Sequence, residues 1–121
     1  MPAQKMIAKV LRVHDGDTAT MELSQPINLL GKLRGKMVFC DVRCRLAGIN
    51  ATELKDAGGP EARDHLASMI DGKDVLVELA GIDKYDRPLV RIYLGNDPLT
   101  VNDRMVRDGH ARVWDGEGPK P

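Results

Sequence analysis

The chain is expected to fold as a mainly β domain, a small closed barrel of five strands with two helices packed on it. Three observations lead there. Segments at Met6–Val13, Thr18–Leu23, Met37–Leu46, Asp74–Leu79 and Leu89–Leu94 are rich in branched apolar residues and have strand lengths. Helical patterns follow only the third and fifth of these, so the regular strand and helix alternation of a parallel sheet is missing. A chain of 121 residues buries one useful core and not two, so residues 1–121 form one domain with its folded part over about 6–114.

Met6–Val13 runs into Asp15-Gly16, a turn dipeptide, before Thr18–Leu23, which reads as a β-hairpin. Residues 24–36 contain Pro26, Gly31 and Gly35 together with Lys32, Arg34 and Lys36, and are expected to form a mobile basic loop. Met37–Leu46 alternates imperfectly, as a half-buried strand does, and its end delivers the stretch Arg45 to Glu53. Gly58-Gly59-Pro60 then breaks the chain; Pro at the first helical position predicts a helix to about Ile70, with Ala62, Leu66, Met69 and Ile70 as its buried stripe and Gly72 as its stop. Two further strands flank the polar run Asp83 to Arg87. Thr100 caps a second helix with Asp103 at the capping-box position and Gly109 near its end, and Val101, Met105 and Val106 form the apolar stripe. Ala111–Trp114 is a short closing strand, and the Gly- and Pro-rich residues 115–121 are expected to be a flexible tail.

Composition narrows the function classes. With 18 basic and 18 acidic residues the net charge is zero, so no global field holds nucleic acid. Charge is concentrated locally instead: residues 24–46 carry Lys32, Arg34, Lys36, Arg43 and Arg45 against Asp41 alone. Only Phe39, Tyr85, Tyr93 and Trp114 are aromatic, which favours an aliphatic core over an aromatic ligand cage. Cys40 and Cys44 lie roughly 13 Å apart on an extended strand, too far to pair, and both read as core or partly buried thiols. Two unpaired cysteines and a start without an apolar run lead to the expectation of a cytoplasmic location.

Three separate segments carry oxygen-rich or cationic chemistry. Asp15-Gly-Asp17-Thr18, taken alone, is an ordinary hairpin turn. Asn50, the Ala51 carbonyl and Glu53 follow a strand end and offer the hard oxygens that suit Ca2+ or Mg2+, although Asn-Ala-Thr-Glu is equally a capped turn. Arg45 and Arg87, each alone a surface cation, would together grip a phosphate bidentately if folding brought them to one cleft. His14, His65 and His110 lack metal-ligand spacing and are taken as surface or packing residues.

Val13-His-Asp-Gly-Asp-Thr18, Arg45-Leu-Ala-Gly-Ile-Asn-Ala-Thr-Glu53, Asp83-Lys-Tyr-Asp-Arg87 and Val101-Asn-Asp-Arg-Met-Val-Arg-Asp-Gly109 resemble, in this order, the staphylococcal nuclease family. The resemblance implies a five-stranded Greek-key barrel of the oligonucleotide-binding (OB) type with packed helices, and a Ca2+-dependent nuclease acting on DNA, RNA or both. It implies that Asp17, Asn50 and the Ala51 carbonyl hold the Ca2+, with Asp15 and Thr18 supporting from behind. Glu53 activates or positions the attacking water, Arg45 and Arg87 clamp the scissile phosphate, and Lys84 and Tyr85 contact a neighbouring one. Trp114 stacks on a base or packs in the core.

The sequence departs from the family pattern at Asn50, where the family has Asp, and this implies weaker metal binding. Asp86 stands where the family has Gly and is expected to pair with Arg87 or repel phosphate. No counterpart of the family's C-terminal helix follows Trp114, so a second copy or another protein is expected to cover that face. The alternative function is a catalytically weakened OB-fold barrel that binds nucleic acid or protein, for instance as a subunit of a larger assembly.

Overall fold

The computed structural model describes residues 4–114; the tail expected over 115–121 lies outside them. Nine elements follow one another: β1 (Gln4–Asp15), β2 (Thr18–Leu29), β3 (Leu33–Leu46), β4 (Ile49–Ala51), α1 (Gly59–Ile70), β5 (Asp74–Ile82), β6 (Pro88–Tyr93), α2 (Val101–Arg107) and β7 (Ala111–Val113). Five strands close a barrel in the order β1-β2-β3-β6-β5. β1 pairs antiparallel with both β2 and β5, and the ring closes through a short parallel contact, Arg45 opposite Leu89 and Leu46 opposite Val90. This is the OB-type barrel expected, with one addition: β4 and β7 form a separate two-stranded sheet beside it.

The barrel interior is filled at every second strand position. Met6, Ala8 and Val10 of β1, Ala19, Met21 and Leu23 of β2, Val75 and Val77 of β5, and Val90 and Ile92 of β6 are all buried, which is the period of two that a one-sided strand requires. α1 presses Ala62, Leu66 and Ile70 onto this core at helical spacing, and α2 adds Val101 and Met105. Thr100 caps α2 as expected, its hydroxyl accepting from the Asp103 N–H at 3.1 Å. The helix ends on Gly109 at φ 84°, with the His110 N–H bonded to Met105 O and the Gly109 N–H to Val106 O. That pair of bonds satisfies the last carbonyls with a left-handed glycine.

Two expectations are corrected here. Residues 24–36 are not a loop: β2 continues to Leu29 and β3 begins at Leu33, so the two strands run on past the barrel as a ribbon paired from Ser24–Val38 out to Leu29–Leu33. Pro26 is tolerated because β2's pairing with β1 ends at Ser24, and Leu30 and Gly31, both at positive φ, supply a turn whose twist suits a hairpin. Cys40 is exposed while Cys44 is buried, because Cys40 and Asp41 together face Glu22 alone in a β-bulge with Asp41 at φ 52°. The extra residue reverses which face each side chain takes. Burial pushes the Cys44 thiol up to about 12, so it is an inert core group.

Candidate active site

Asp17 is the buried centre of the site. Gly16 and Asp17 make the two-residue turn between β1 and β2, and the Asp15 carboxylate accepts the Asp17 N–H at 3.0 Å. Gly16 is required by close approach: a Cβ there would lie 2.7 Å from that of Ala51 and 2.9 Å from that of Ala62. The turn is thus pressed between β4 and α1, which carries the Asp17 side chain inward. Its Oδ2 accepts from the Ala51 N–H at 2.9 Å and from Arg45 Nη2 at 3.4 Å, and its Oδ1 accepts from the Thr18 hydroxyl at 3.1 Å. Burial pushes the Asp17 carboxyl up, and the Asp15 charge adds to this; the Ala51 N–H and Arg45 pull the other way without cancelling it.

Arg45 is the penultimate residue of β3 and is itself buried. Nη1 donates to the carbonyls of Ile49 at 3.0 Å and Leu46 at 3.3 Å, and Nη2 donates to Asn50 Oδ1 at 3.2 Å as well as to Asp17. Its guanidinium lies 5.3 Å from the centre of the Trp114 ring. Trp114 is therefore half-buried against a site residue, and its backbone N–H is bonded to Gly48 O at 2.9 Å. The end of β3 is fixed in turn by Asn102 of α2, whose side chain donates to the carbonyls of Ala47 and Val90 and accepts from the Ile92 N–H.

Glu53 follows β4 on an exposed turn, its carboxylate 3.5 Å from Lys55 Nζ. A Cβ at Gly59 would run into the Glu53 carbonyl, so this loop is held against the start of α1 by the missing side chain. Arg87 closes the β5–β6 hairpin. The expectation that Asp86 pairs with Arg87 is corrected: Asp83 does so, with Nε of Arg87 2.7 Å from its Oδ2. Asp86 instead takes φ 62°, the left-handed conformation the turn demands, which is the physical reason a glycine suits that position. The Asp83 Oδ1 also accepts the backbone N–H groups of Tyr85 and Arg87. Burial would raise the Asp83 carboxyl, but these three donors outweigh it and hold it below its ordinary value. Asp83 therefore tightens the hairpin above the ordinary carboxylate pKa of 3.8, and this contribution is lost as pH falls through the lower folded value. Asp83→Asn is expected to lower the melting temperature at neutral pH and to leave it unchanged in strong acid, as thermal melts at the two pH values will show.

Asp15, Asp17, Thr18, Arg45, Asn50, Ala51, Glu53 and Arg87 all line one open cavity of about 360 Å3, together with Thr52, Leu54 and Lys55. Every catalytic and metal residue expected from the sequence is in that set. Lys84, Tyr85 and Trp114 are not among its lining residues; Tyr85 is exposed, with the Arg87 guanidinium 5.3 Å from its ring centre and Lys84 Nζ at the same distance. Lys55, Asp83 and Asn102 were not singled out from the sequence. Asn102 could have been found as a polar residue between Val101 and Met105 on the buried side of α2, but nothing local distinguishes Asp83 from Asp86.

The cavity's donors are hard oxygens without thiolate or imidazole, a set that takes Ca2+ or Mg2+ over softer metals. Asp17 Oδ2 and Asn50 Oδ1 already converge on one cationic nitrogen of Arg45, so the residues fit a small cation. Among the described residues no group of three or more His, Cys, Asp and Glu is arranged for a metal, so the amide and backbone oxygens are needed to complete a site.

Comparison with known proteins identifies the family. Residues 43–120 match the family model described as "Staphylococcal nuclease homologue". The chain is 34% identical over 113 residues to an uncharacterized endonuclease of Escherichia coli O157:H7, covering 93% of this chain and 64% of that protein. It is 30% identical over 113 residues to a micrococcal nuclease of Shigella flexneri, covering 88% and 57%. It is 38% identical over 69 residues to a probable staphylococcal-like nuclease of Oryza sativa subsp. japonica, covering 57% and 18%. The chain thus spans between 18% and 64% of the length of these curated relatives. The family model matches more than half of the chain, over the segment that bears Arg45, Asn50, Glu53 and Arg87, and the chain belongs to the staphylococcal nuclease homologue family.

Proposed function

We propose that the chain is a Ca2+-dependent nuclease that hydrolyses phosphodiester bonds of DNA, RNA or both. The observation that carries this reading is the convergence on one cavity of Asp17, of Arg45, Asn50 and Glu53, and of Arg87, which come from three separate segments. Names of similar proteins, among them endonucleases and a micrococcal nuclease, support the same reaction class.

Asp17, Asn50 and the Ala51 carbonyl would hold the ion, with Asp15 fixing the Asp17 backbone and Thr18 donating to its carboxylate. When bound, Ca2+ supplies Lewis acidity toward a phosphoryl oxygen. Arg87, anchored by Asp83 through Nε, offers its Nη groups to a phosphate. Arg45 carries a second guanidinium to the same cavity and offsets negative charge that gathers on the phosphoryl oxygens. Glu53, exposed on the cavity wall, accepts a proton from the attacking water as the water oxygen bonds to phosphorus and the ester P–O bond opposite it breaks, the departing alkoxide oxygen taking a proton from bulk water. Lys55 keeps that carboxylate near the cavity. Lys84 and Tyr85, beside Arg87 at the hairpin tip, reach a neighbouring phosphate, and Trp114 bears on the substrate through Arg45.

Asn50 brings an amide oxygen where a carboxylate would add charge. Asn50→Asp is expected to tighten Ca2+ binding about tenfold in a calorimetric titration, in line with stronger ligation by charged oxygens. An unchanged affinity would remove Asn50 from the ligand set.

A binding module without turnover is the second reading. It is favoured by the engagement of Asp17, whose two oxygens already accept from Thr18, Ala51 and Arg45 and leave about one further acceptor position. One experiment separates the two. Single-stranded DNA, duplex DNA and RNA are each incubated with the chain in Ca2+, Mg2+ or chelator, with Arg87→Ala as control. Cleavage that needs Ca2+ and is lost in the variant is the expected result; retention of the polymer on the protein without cleavage would establish the module.

A further inference from the structure

The ribbon formed by the outer parts of β2 and β3 has two unlike faces. Residues opposite one another in an antiparallel pair share a face, so Ile27, Leu29, Leu33, Gly35, Met37 and Phe39 lie together with Gln25, on the side that continues the barrel interior from Leu23. The other face carries Ser24, Pro26, Asn28, Arg34, Lys36 and Val38. The bulge at Cys40 and Asp41 produces this sorting. Val42 and Cys44 face the interior opposite Met21 and Ala19; without the extra residue, alternation would bring Val38, Lys36 and Arg34 onto the apolar side.

The apolar side is open. Leu29 is 55% exposed, Leu33 65%, Met37 47% and Phe39 47%, and Leu30 at the tip is 95% exposed. A two-stranded ribbon standing alone is marginal in water, and this one holds five large apolar groups in solvent.

We propose that a second copy of this chain packs on the ribbon, apolar face to apolar face, in a two-fold symmetric dimer. Area and charge both point to this occupant. The five side chains leave on the order of 500 Å2 open per copy, so two copies bury roughly 1,000 Å2, the threshold for a specific interface. The apolar face contains no charged residue, while Arg34 and Lys36 lie on the opposite face, so two copies meet without bringing like charges together or burying an unpaired one. From residue 24 to residue 40 every charged side chain is basic, which leaves no acid to pair with a basic partner. A polyanion, for its part, would choose the basic face and leave the apolar one open. Self-complementary apolar faces are what an isologous contact needs.

Sedimentation equilibrium of the full chain, from low micromolar to several hundred micromolar, tests the proposal independently of any cleavage assay. The expected result is a monomer–dimer equilibrium in the natural chain, weakened at least tenfold by Leu33→Glu and by Met37→Glu. Arg34→Glu, on the basic face, leaves it within about twofold. Far-ultraviolet circular dichroism checks that each variant is folded, and Leu29→Lys replaces either one that is not. A natural chain that stays monomeric throughout overturns the proposal, including the case in which it instead sediments with anionic vesicles or an oligonucleotide. So does a dimer indifferent to the apolar substitutions, or one broken equally by Arg34→Glu.

Discussion

Arg45→Ala is expected to lower kcat/KM for Ca2+-dependent cleavage at least about 10³-fold and to destabilise the domain by about 3 to 5 kcal/mol. Both effects come from one side chain with two jobs. Arg45 binds the carbonyls of Leu46 and Ile49 and the side chains of Asp17 and Asn50, and its side chain is only 10% exposed. Its removal leaves Asp17 buried, beside Asp15, without its cationic partner, and the cost is that of an unpaired charge in a place burial already disfavours. Arg45→Lys separates the jobs. An ammonium restores a charge near Asp17 but has no planar fork to span the two carbonyls and the two side chains. Stability measured by urea titration is expected to recover in part in Arg45→Lys, whereas cleavage is not. Recovery of both together would mean that Arg45 acts only as a structural counter-charge.

Glu53→Gln is expected to act in the opposite proportion. The residue is exposed, pairs only loosely with Lys55 and contributes its backbone, rather than its side chain, to the turn before α1. Its replacement therefore leaves the melting temperature within a degree or two, on the scale of neutral surface substitutions. Turnover falls about 10²- to 10⁴-fold, the span of a lost general base. The signature is a fall in kcat with little change in KM, since the amide still fills the same volume but accepts no proton. Unchanged turnover in this variant would show that water is activated elsewhere.

The contrast between these two residues reflects what was legible in the sequence. α2 could be read nearly residue by residue, because Thr100, Asp103 and Gly109 each perform a local function that the spacing alone reveals. The barrel strands were legible from their period of two, and α1 from Pro60 and its stripe of Ala62, Leu66 and Ile70. The ribbon was not. Pro26, Gly31 and Gly35 mark loops in most chains, and nothing local shows that residues 24–36 pair with each other as strands. A regular strand would put Cys40 on the same face as Cys44, and only the bulge at Cys40 and Asp41 separates them.

In the site, the segments Asp15–Thr18, Arg45–Glu53 and Asp83–Arg87 could be identified, but not the contacts among them. Arg45 and Asp17 are 28 residues apart in the chain and meet only because β2 and β3 pair Thr18 with Arg45. The sequence offers the adjacent Asp86 either as a partner of Arg87 or as a group that repels phosphate, whereas the hairpin turn brings the residue four before Arg87 into reach and sends the neighbour into a left-handed conformation. Sequence pattern reports local periodicity; which of two nearby carboxylates faces a cation is decided by turn geometry.

The central claim is that Asp17, Asn50, Arg45, Glu53 and Arg87 act on one phosphate in one cavity. A crystal structure of the chain with Ca2+ and a short phosphorothioate oligonucleotide tests it most directly. The expected result is the ion on Asp17 and Asn50, with the thiophosphate between it and the guanidinium groups of Arg45 and Arg87 and a water against Glu53. An ion bound away from Asp17, or an oligonucleotide seated elsewhere on the barrel with this cavity empty, would contradict it.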